Sequence, residues 1–436
     1  MPDTTAYQKI ELTNGLTVHL KEVHSAPIIS SWMWYRVGSR NETPGITGIS
    51  HWVEHMQFKG TQKFPPGLLD RVISREGGFW NAMTHIDWTT YFETMPADRI
   101  DIAFELEADR MQNSLYDPKE VASERTVVIS EREGNENEPL FRLGEAVQMA
   151  AFTAHPYHHE VIGDMKDLRK MTRDDLYGHY RHYYHPGNAV LAVAGDFDLP
   201  EMQDRIRAVF ESIPRGEKFT PVIAQEPPLG GEKRVDVHGP GETCFIQIAY
   251  RSPRASDPDF FPLLVLDSLL SGPTSLNMMG GGGISNKTSR LYQSLVEKEL
   301  AVSLRGNLQT TLDPYVYDLT LTVHPSREPQ SVLAALDEEL QRVVAHPVRQ
   351  EEIDRAIKQS RALFVYSAEN ITNQAFWMGY AEIFADYNWF LTYLDRIAAV
   401  TVADVQHAAQ KYLDASNRVV GIYHPEDGTA KGYDHA

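Results

Sequence analysis

IISSWMWYRVGSRNE, residues 28–42, and TCFIQIAYRSPRASD, residues 243–257, are two versions of one pattern. Each is a largely apolar run, rich in β-branched and aromatic side chains, that ends in a turn-forming cluster, which reads as a strand. A second pair of segments repeats further along: DLRKMTRDDLYGHYRHYYHPGNAVLAVAGDFD, residues 167–198, is echoed by LDRIAAVTVADVQHAAQKYLDASNRVVGIYHPED, residues 394–427. The spacing of about 220 residues is far longer than any solenoid repeat, so one domain is duplicated. Between the copies, PRGEKFTPVIAQEPPLGGEKR (Pro214 to Arg234) is rich in Pro and Gly and has no periodicity, which predicts a linker. The expected division is therefore 1–213, a linker 214–234, and 235–436. Each half runs from an alternating strand through an apolar helix, a strand pair and longer helices to a closing strand. This order lacks strict βαβ alternation. It predicts an α+β class with two duplicated domains, each an antiparallel sheet with helices packed on one face.

The halves differ at one place. In the first, the helix after the strand carries His51-Trp52-Val53-Glu54-His55; in the second, the matching stretch Phe261 to Leu270 (FPLLVLDSLL) has no histidine. Imidazoles four residues apart lie one above the other on a helix face and can reach a single metal ion about 2 Å away. Glu54 borders that face, where a carboxylate can take a proton from a water. The H-x-x-E-H order mirrors the H-E-x-x-H zinc box and points to zinc-dependent peptide hydrolysis. A packed polar pair would show the same spacing, so a third ligand is required. The segment Pro118 to Glu133 (PKEVASERTVVISERE) reads as a helix opened by Asp117-Pro118. Glu124, Val128 and Glu131 share one of its faces. Glu131 is a candidate ligand, and Glu124 could hold a histidine or the water by hydrogen bonding. Solvated charges on an acidic helix would look the same.

Composition narrows the classes. Of 436 residues, 42% are hydrophobic and no apolar run reaches the roughly 18–20 residues of a membrane span. The net charge of −19, from 41 basic and 60 acidic side chains, argues against a nucleic-acid partner and is compatible with cationic peptides. MPDTTAYQKIEL at the start has no basic head with an apolar core, so the expectation is a cytoplasmic protein, or a periplasmic one if a leader has been removed. The single cysteine, Cys244, lies in an apolar strand and reads as core.

Over nearly its whole length the chain resembles the pitrilysin-type inverzincins, most closely their half-size members such as mitochondrial and bacterial processing peptidases. The resemblance rests on LTNGLTVHL (12–20), GISHWVEHMQFKGT (48–61), GGFWNAMTHIDWTTYF (77–92), SERTVVISE (123–131), HPYHHEVIGDMKDL (155–168), YYHPGNAVLAVAGDFD (183–198) and TSRLYQSLVEKELAVSL (288–304). It implies one zinc ion per chain, held by His51, His55 and Glu131, with Glu54 as catalytic base and Glu124 as auxiliary catalytic residue. It implies that an edge strand in Gly77 to Thr94 binds substrate as an added β-strand, through Phe79, Asn81, Ala82 and Thr84. It also implies an Arg and a Tyr that hold the substrate, which no motif here assigns. The family works as a chamber of four domains. This chain supplies two, so the partner is a second copy or a sister subunit lacking the box. The expected activity is a zinc endopeptidase acting on peptides or unfolded segments, as against a structural subunit that keeps only the fold.

Two further features stand outside this scheme. Gly280 to Gly283 form a loop without a Walker pattern, so phosphate binding is not expected. The clusters His155, His158, His159 and His179, His182, His185 read as packed histidines rather than a second metal site.

Overall fold

A computed structural model describes residues 7–217, 222–274 and 285–426. The Gly280 to Gly283 loop lies outside them. The first sheet contains β1 (Tyr7–Glu11), β2 (Thr17–Glu22), β3 (Ile28–Tyr35), β4 (Phe79–Thr84), β5 (Thr89–Pro96) and β6 (Ala189–Gly195), in the order β1-β2-β6-β3-β5-β4. The second contains β7 (Lys233–Pro240), β8 (Phe245–Ser252), β9 (Ala301–Leu308), β10 (Tyr315–Val323) and β11 (Arg418–Glu426), in the order β7-β11-β8-β10-β9. Without β1, the two orders are the same. The duplication read from sequence is thus also a duplication of topology. Each sheet is antiparallel except for one parallel pair, β2 with β6 and β7 with β11. In both, the closing strand inserts beside the opening one and runs parallel to it, so the two are joined by a long crossover rather than a hairpin.

The helices that matter for the site are α1 (Ile49–Met56), α2 (Ile100–Asn113), α3 (Pro118–Glu136), α4 (Pro139–Ala151), α5 (Arg173–Tyr183), α6 (Phe260–Leu270), α7 (Ile371–Phe384) and α8 (Val402–Tyr412). In the first half α1 packs against α5 and the strands β4 and β5. In the second half α6 packs against α8 and β9 in the same way. The supporting helices α5 and α8 even start alike, each with a reciprocal capping box: Thr172 with Asp175, and Thr401 with Asp404.

Two segments lie in the compact unit opposite to the half of the sequence that carries them. Residues 133–154, with α4, belong to the second unit, and residues 365–393, with α7, belong to the first. Helix α7 covers β2, β3 and β6, and α4 covers β7, β8 and β11, which are the equivalent strands. A layer of helices therefore lies on the α1 face of the first sheet, and the exchanged α7 covers the opposite face. The reason is in β3: Trp32 and Trp34 point one way, Met33 and Tyr35 the other, and all four are fully buried. The tryptophan face needs its own cover, and Phe376 and Tyr380 of α7 supply it by packing on Trp32 and Trp34. Gly379 sits against the Trp34 indole, where a Cβ would collide with the ring.

From Pro214 to Glu232 the described residues form no helix or strand before β7 opens at Lys233.

Candidate metal centre

Helix α1 is short, and its start is built with care. Gly48 precedes it at φ +87°, and a Cβ there would strike the Ile162 carbonyl. The buried Glu42 carboxylate accepts the Gly48 amide at 2.7 Å and the Ser50 amide at 2.9 Å, and His159 Nε2 donates to it at 2.8 Å. An anion on the free amides of a helix N-terminus is favourable both as a cap and against the helix dipole. Asp167 does similar work one turn back, accepting the Gly45 amide and the amide and hydroxyl of Thr47. His179 meets the Ser50 hydroxyl at 3.3 Å. Two of the histidines from the clusters therefore help to seat this helix.

Along α1, Ile49, Trp52, Val53 and Met56 are buried, the i, i+3, i+4, i+7 stripe of a helix lying on a core. The remaining face carries His51, Glu54 and His55. The His51 and His55 rings, 4.6 Å apart between centroids, turn toward α3. There Glu131 reaches across, with Oε1 3.8 Å from His51 Nε2 and Oε2 3.7 Å from His55 Nε2. One ligand atom from each of the three lies within 4.8 Å of the others, the one such group among the described residues. In a tetrahedral site with bonds near 2.0–2.1 Å, neighbouring donors stand about 3.3–3.4 Å apart, so the three ligand atoms would draw together by at most about 1.5 Å around an ion. Two imidazoles and a carboxylate with a fourth position open is the donor chemistry of hydrolytic zinc sites. The residues present fit the ion.

The surroundings tune these groups. Burial, with His55 beside it, drives the His51 pKa down to about 3, so its ring is neutral and has a lone pair to give. Burial also opposes charge on His55, but hydrogen bonding to Glu124 and the nearby Glu54 and Glu131 charges outweigh it and raise its pKa. His55 Nδ1 donates to Glu124 Oε1 at 2.8 Å, which leaves Nε2 as the acceptor facing Glu131. Glu124 is itself held below the usual carboxylate range: burial works against this, but His55 and Lys59 prevail. Burial raises the Glu54 pKa, Glu131 adds to the rise, and a hydrogen bond from Thr84 and the proximity of His55 restrain it. Thr84 Oγ1 donates to Glu54 Oε2 at 2.5 Å.

The structure thus brings together His51, Glu54, His55, Glu124, Glu131 and Thr84. Strand β4, with Phe79, Asn81 and Ala82, is the edge of the first sheet beside α1. Phe79 is half exposed, whereas Ala82 is buried. Sequence reasoning missed Lys59, whose ammonium pairs with Glu124 Oε2, and Glu42. Lys59 lies just beyond the end of α1 and Glu42 lies outside any helix, so helical spacing places neither of them.

Comparison with known proteins gives the family. Residues 17–165 match the family model described as insulinase (peptidase family M16), and residues 170–360 match the one described as the peptidase M16 inactive domain. The chain belongs to peptidase family M16. Among M16 relatives, it is 28% identical to the zinc protease PqqE of Helicobacter pylori over 419 residues, which is 93% of this chain and 90% of that one. It is 25% identical over 410 residues to the mitochondrial-processing peptidase subunit beta of Lentinula edodes, covering 92% and 86% of the two chains. A crystal structure of a protease from Helicobacter pylori superposes with a TM-score of 0.89 at 26% identity, over 96% of this chain and 99% of that one. These M16 relatives are of similar length, so the half-size, pitrilysin-type organisation holds for the whole chain. The boundary between the two M16 models falls just before α5. All six site residues lie in the segment matched by the first.

Proposed function

We propose that this M16 chain is a zinc-dependent endopeptidase that cuts peptides or unfolded segments inside a chamber completed by a second chain. One observation carries the reading: two stretches of sequence, with Glu131 standing 76 positions after His55 (131 − 55), present three ligand atoms to one point with Glu54 alongside. The zinc-protease names of its relatives support the identity of the metal. The subunit names of others support a partner, as a copy or a sister chain.

A zinc ion held by His51, His55 and Glu131 would supply an activated water and polarise the scissile carbonyl. Glu54 takes the proton of the attacking water and returns it to the leaving amine nitrogen, a transfer helped by burial, which raises its pKa. Glu124 holds His55 in the tautomer that presents Nε2. A peptide pairs with the free edge of β4 through backbone hydrogen bonds, and Phe79, Asn81 and Ala82 select among side chains. Backbone pairing suits a substrate that is extended rather than folded.

The test combines metal analysis with cleavage of a quenched fluorescent peptide, on the chain alone and with any sister subunit. Glu54→Gln should keep zinc and lose at least about 10²-fold in cleavage. His51→Ala should lose both. Normal cleavage by Glu54→Gln would remove the assigned base. Full-length protein that binds neither metal nor cuts peptide in any assembly would be a structural subunit.

A further inference from the structure

We infer that Thr84 is a positioning residue for catalysis: from the end of the substrate-receiving strand, its hydroxyl fixes the carboxylate of Glu54. This rests on the reading of Glu54 as the base. Family resemblance places Thr84 among the peptide contacts, but the geometry gives its hydroxyl to Glu54 Oε2. Side chains alternate along β4, so Trp80, Ala82 and Thr84 share the face toward α1. Trp80 stacks on Phe58 at 4.5 Å, just beyond the helix end, and Thr84 meets Glu54.

The precision comes from where Thr84 sits. It is the last residue of β4, opposite Thr89, and the hairpin closes at once with the His85 amide on the Trp88 carbonyl at 2.7 Å. That hairpin tip is pinned. The Arg40 amide reaches the Ile86 carbonyl at 2.8 Å, and the Tyr157 hydroxyl reaches Asp87 Oδ1 at 2.7 Å. Gly38 lies so close to the His85 carbonyl that no side chain fits between them. Thr89 Oγ1 ties the other strand to the Val37 carbonyl at 2.9 Å. The backbone of Thr84 is therefore fixed, and a β-branched side chain has few rotamers to explore. One carboxylate oxygen of Glu54 is held in place, and Oε1 is the oxygen left for the water. The strand that aligns the peptide and the group that moves the proton are thereby joined by one hydrogen bond. A base held to within a fraction of an ångström is worth up to about 10²-fold in rate.

The full chain, in its active assembly, is compared with Thr84→Ser, which keeps the hydroxyl, and with Thr84→Val and Thr84→Ala, which remove it. Expected for Val and Ala is a kcat lower by roughly 10- to 100-fold with KM within about twofold, and for Ser a kcat within about threefold of the parent. Zinc content, melting temperature and the affinity of the zinc-free protein for a labelled peptide, read by fluorescence anisotropy, should not change. A raised KM or weakened anisotropy with kcat intact would make Thr84 a substrate contact and overturn the inference. So would a Val or Ala variant with normal kcat, or a Ser variant as impaired as they are. Glu54→Gln in parallel separates the two ideas, because full activity there would sink the base assignment and not the behaviour of Thr84.

Discussion

Helices α1 and α6 fill the same slot in two copies of one fold, and only one of them can do chemistry. Each follows the strand that pairs with the closing strand, and each leans on a helix with a Thr-Asp capping box. In α1 half the surface is core and half is His51, Glu54 and His55. In α6 every residue but Pro262 is buried, and the one charged group, Asp267, turns inward to accept the hydroxyls of Ser271 at 2.6 Å and Tyr317 at 2.9 Å. The frame therefore does not specify a metal site. The site needs a polar face that the frame leaves open, and a neighbouring helix with a carboxylate at the right height. The second copy has spent that face on packing.

The comparison is tested most severely by taking the copies apart. Residues 1–213 expressed alone lack α7, and the Trp32, Trp34 and Phe92 face loses its cover. Several buried aromatics at 150–250 Å² each amount to about 10 kcal/mol, the whole stability of an ordinary domain. The expected outcome is no cooperative melt by calorimetry, restored on co-expression with 214–436. An isolated first half that melts like the full chain would show that the exchange is incidental.

Next in size are two glycines that do the same job from opposite sides. In the first unit Gly379 lies on the helix, against Trp34 of the sheet; in the second, Gly421 lies on the sheet, against Leu143 and Val147 of α4. Gly379→Leu and Gly421→Leu should each cost about 3 kcal/mol in urea denaturation. If either were neutral, that helix would not be closely seated.

A smaller effect belongs to Asp267. Burial lifts its pKa from 3.8 to about 6, although Ser271 and Tyr317 donate to it. The folded chain thus keeps this proton up to about pH 6, whereas the unfolded chain releases it near 3.8. Between those values the folded state binds more protons, so stability falls as pH rises, then levels off above 6. Relative to Asp267→Asn, the parent should lose about 2–3 kcal/mol from pH 4 to pH 7, with zinc content unchanged in both. Parallel pH curves for the two proteins would remove the buried-acid account. The smallest expected effect is on the active copy: Lys59→Met should weaken zinc about tenfold, measured by competition with a chromophoric chelator. An unchanged affinity would mean that Glu124 holds His55 without help.

Much of this was legible in the chain itself. The repeat is visible because β-branched and aromatic runs and turn residues are local signals, and the closing-strand segments echo each other in order, as at Thr172 and Thr401 or Asn188 and Asn417. The H-x-x-E-H helix and the Glu124–Glu131 face are legible because steps of three and four put groups on one side. The exchange of α4 and α7 was not legible. Helix α7 is buried almost all round, which says that it lies inside a core but not inside which one. The Glu42 cap and the Thr84 hydrogen bond were hidden for a similar reason: each joins groups brought together only by tertiary packing.

The trade of helices has a consequence for how the protein is made. All six strands of the first sheet have left the ribosome once Gly195 is out, but α7 ends at Phe384, about 190 residues later. At 5–20 residues per second, translation leaves the tryptophan side of that sheet uncovered for about 10–40 s. Nascent chains of this protein should therefore engage holding chaperones throughout synthesis of the second half, and they should let go only when α7 arrives.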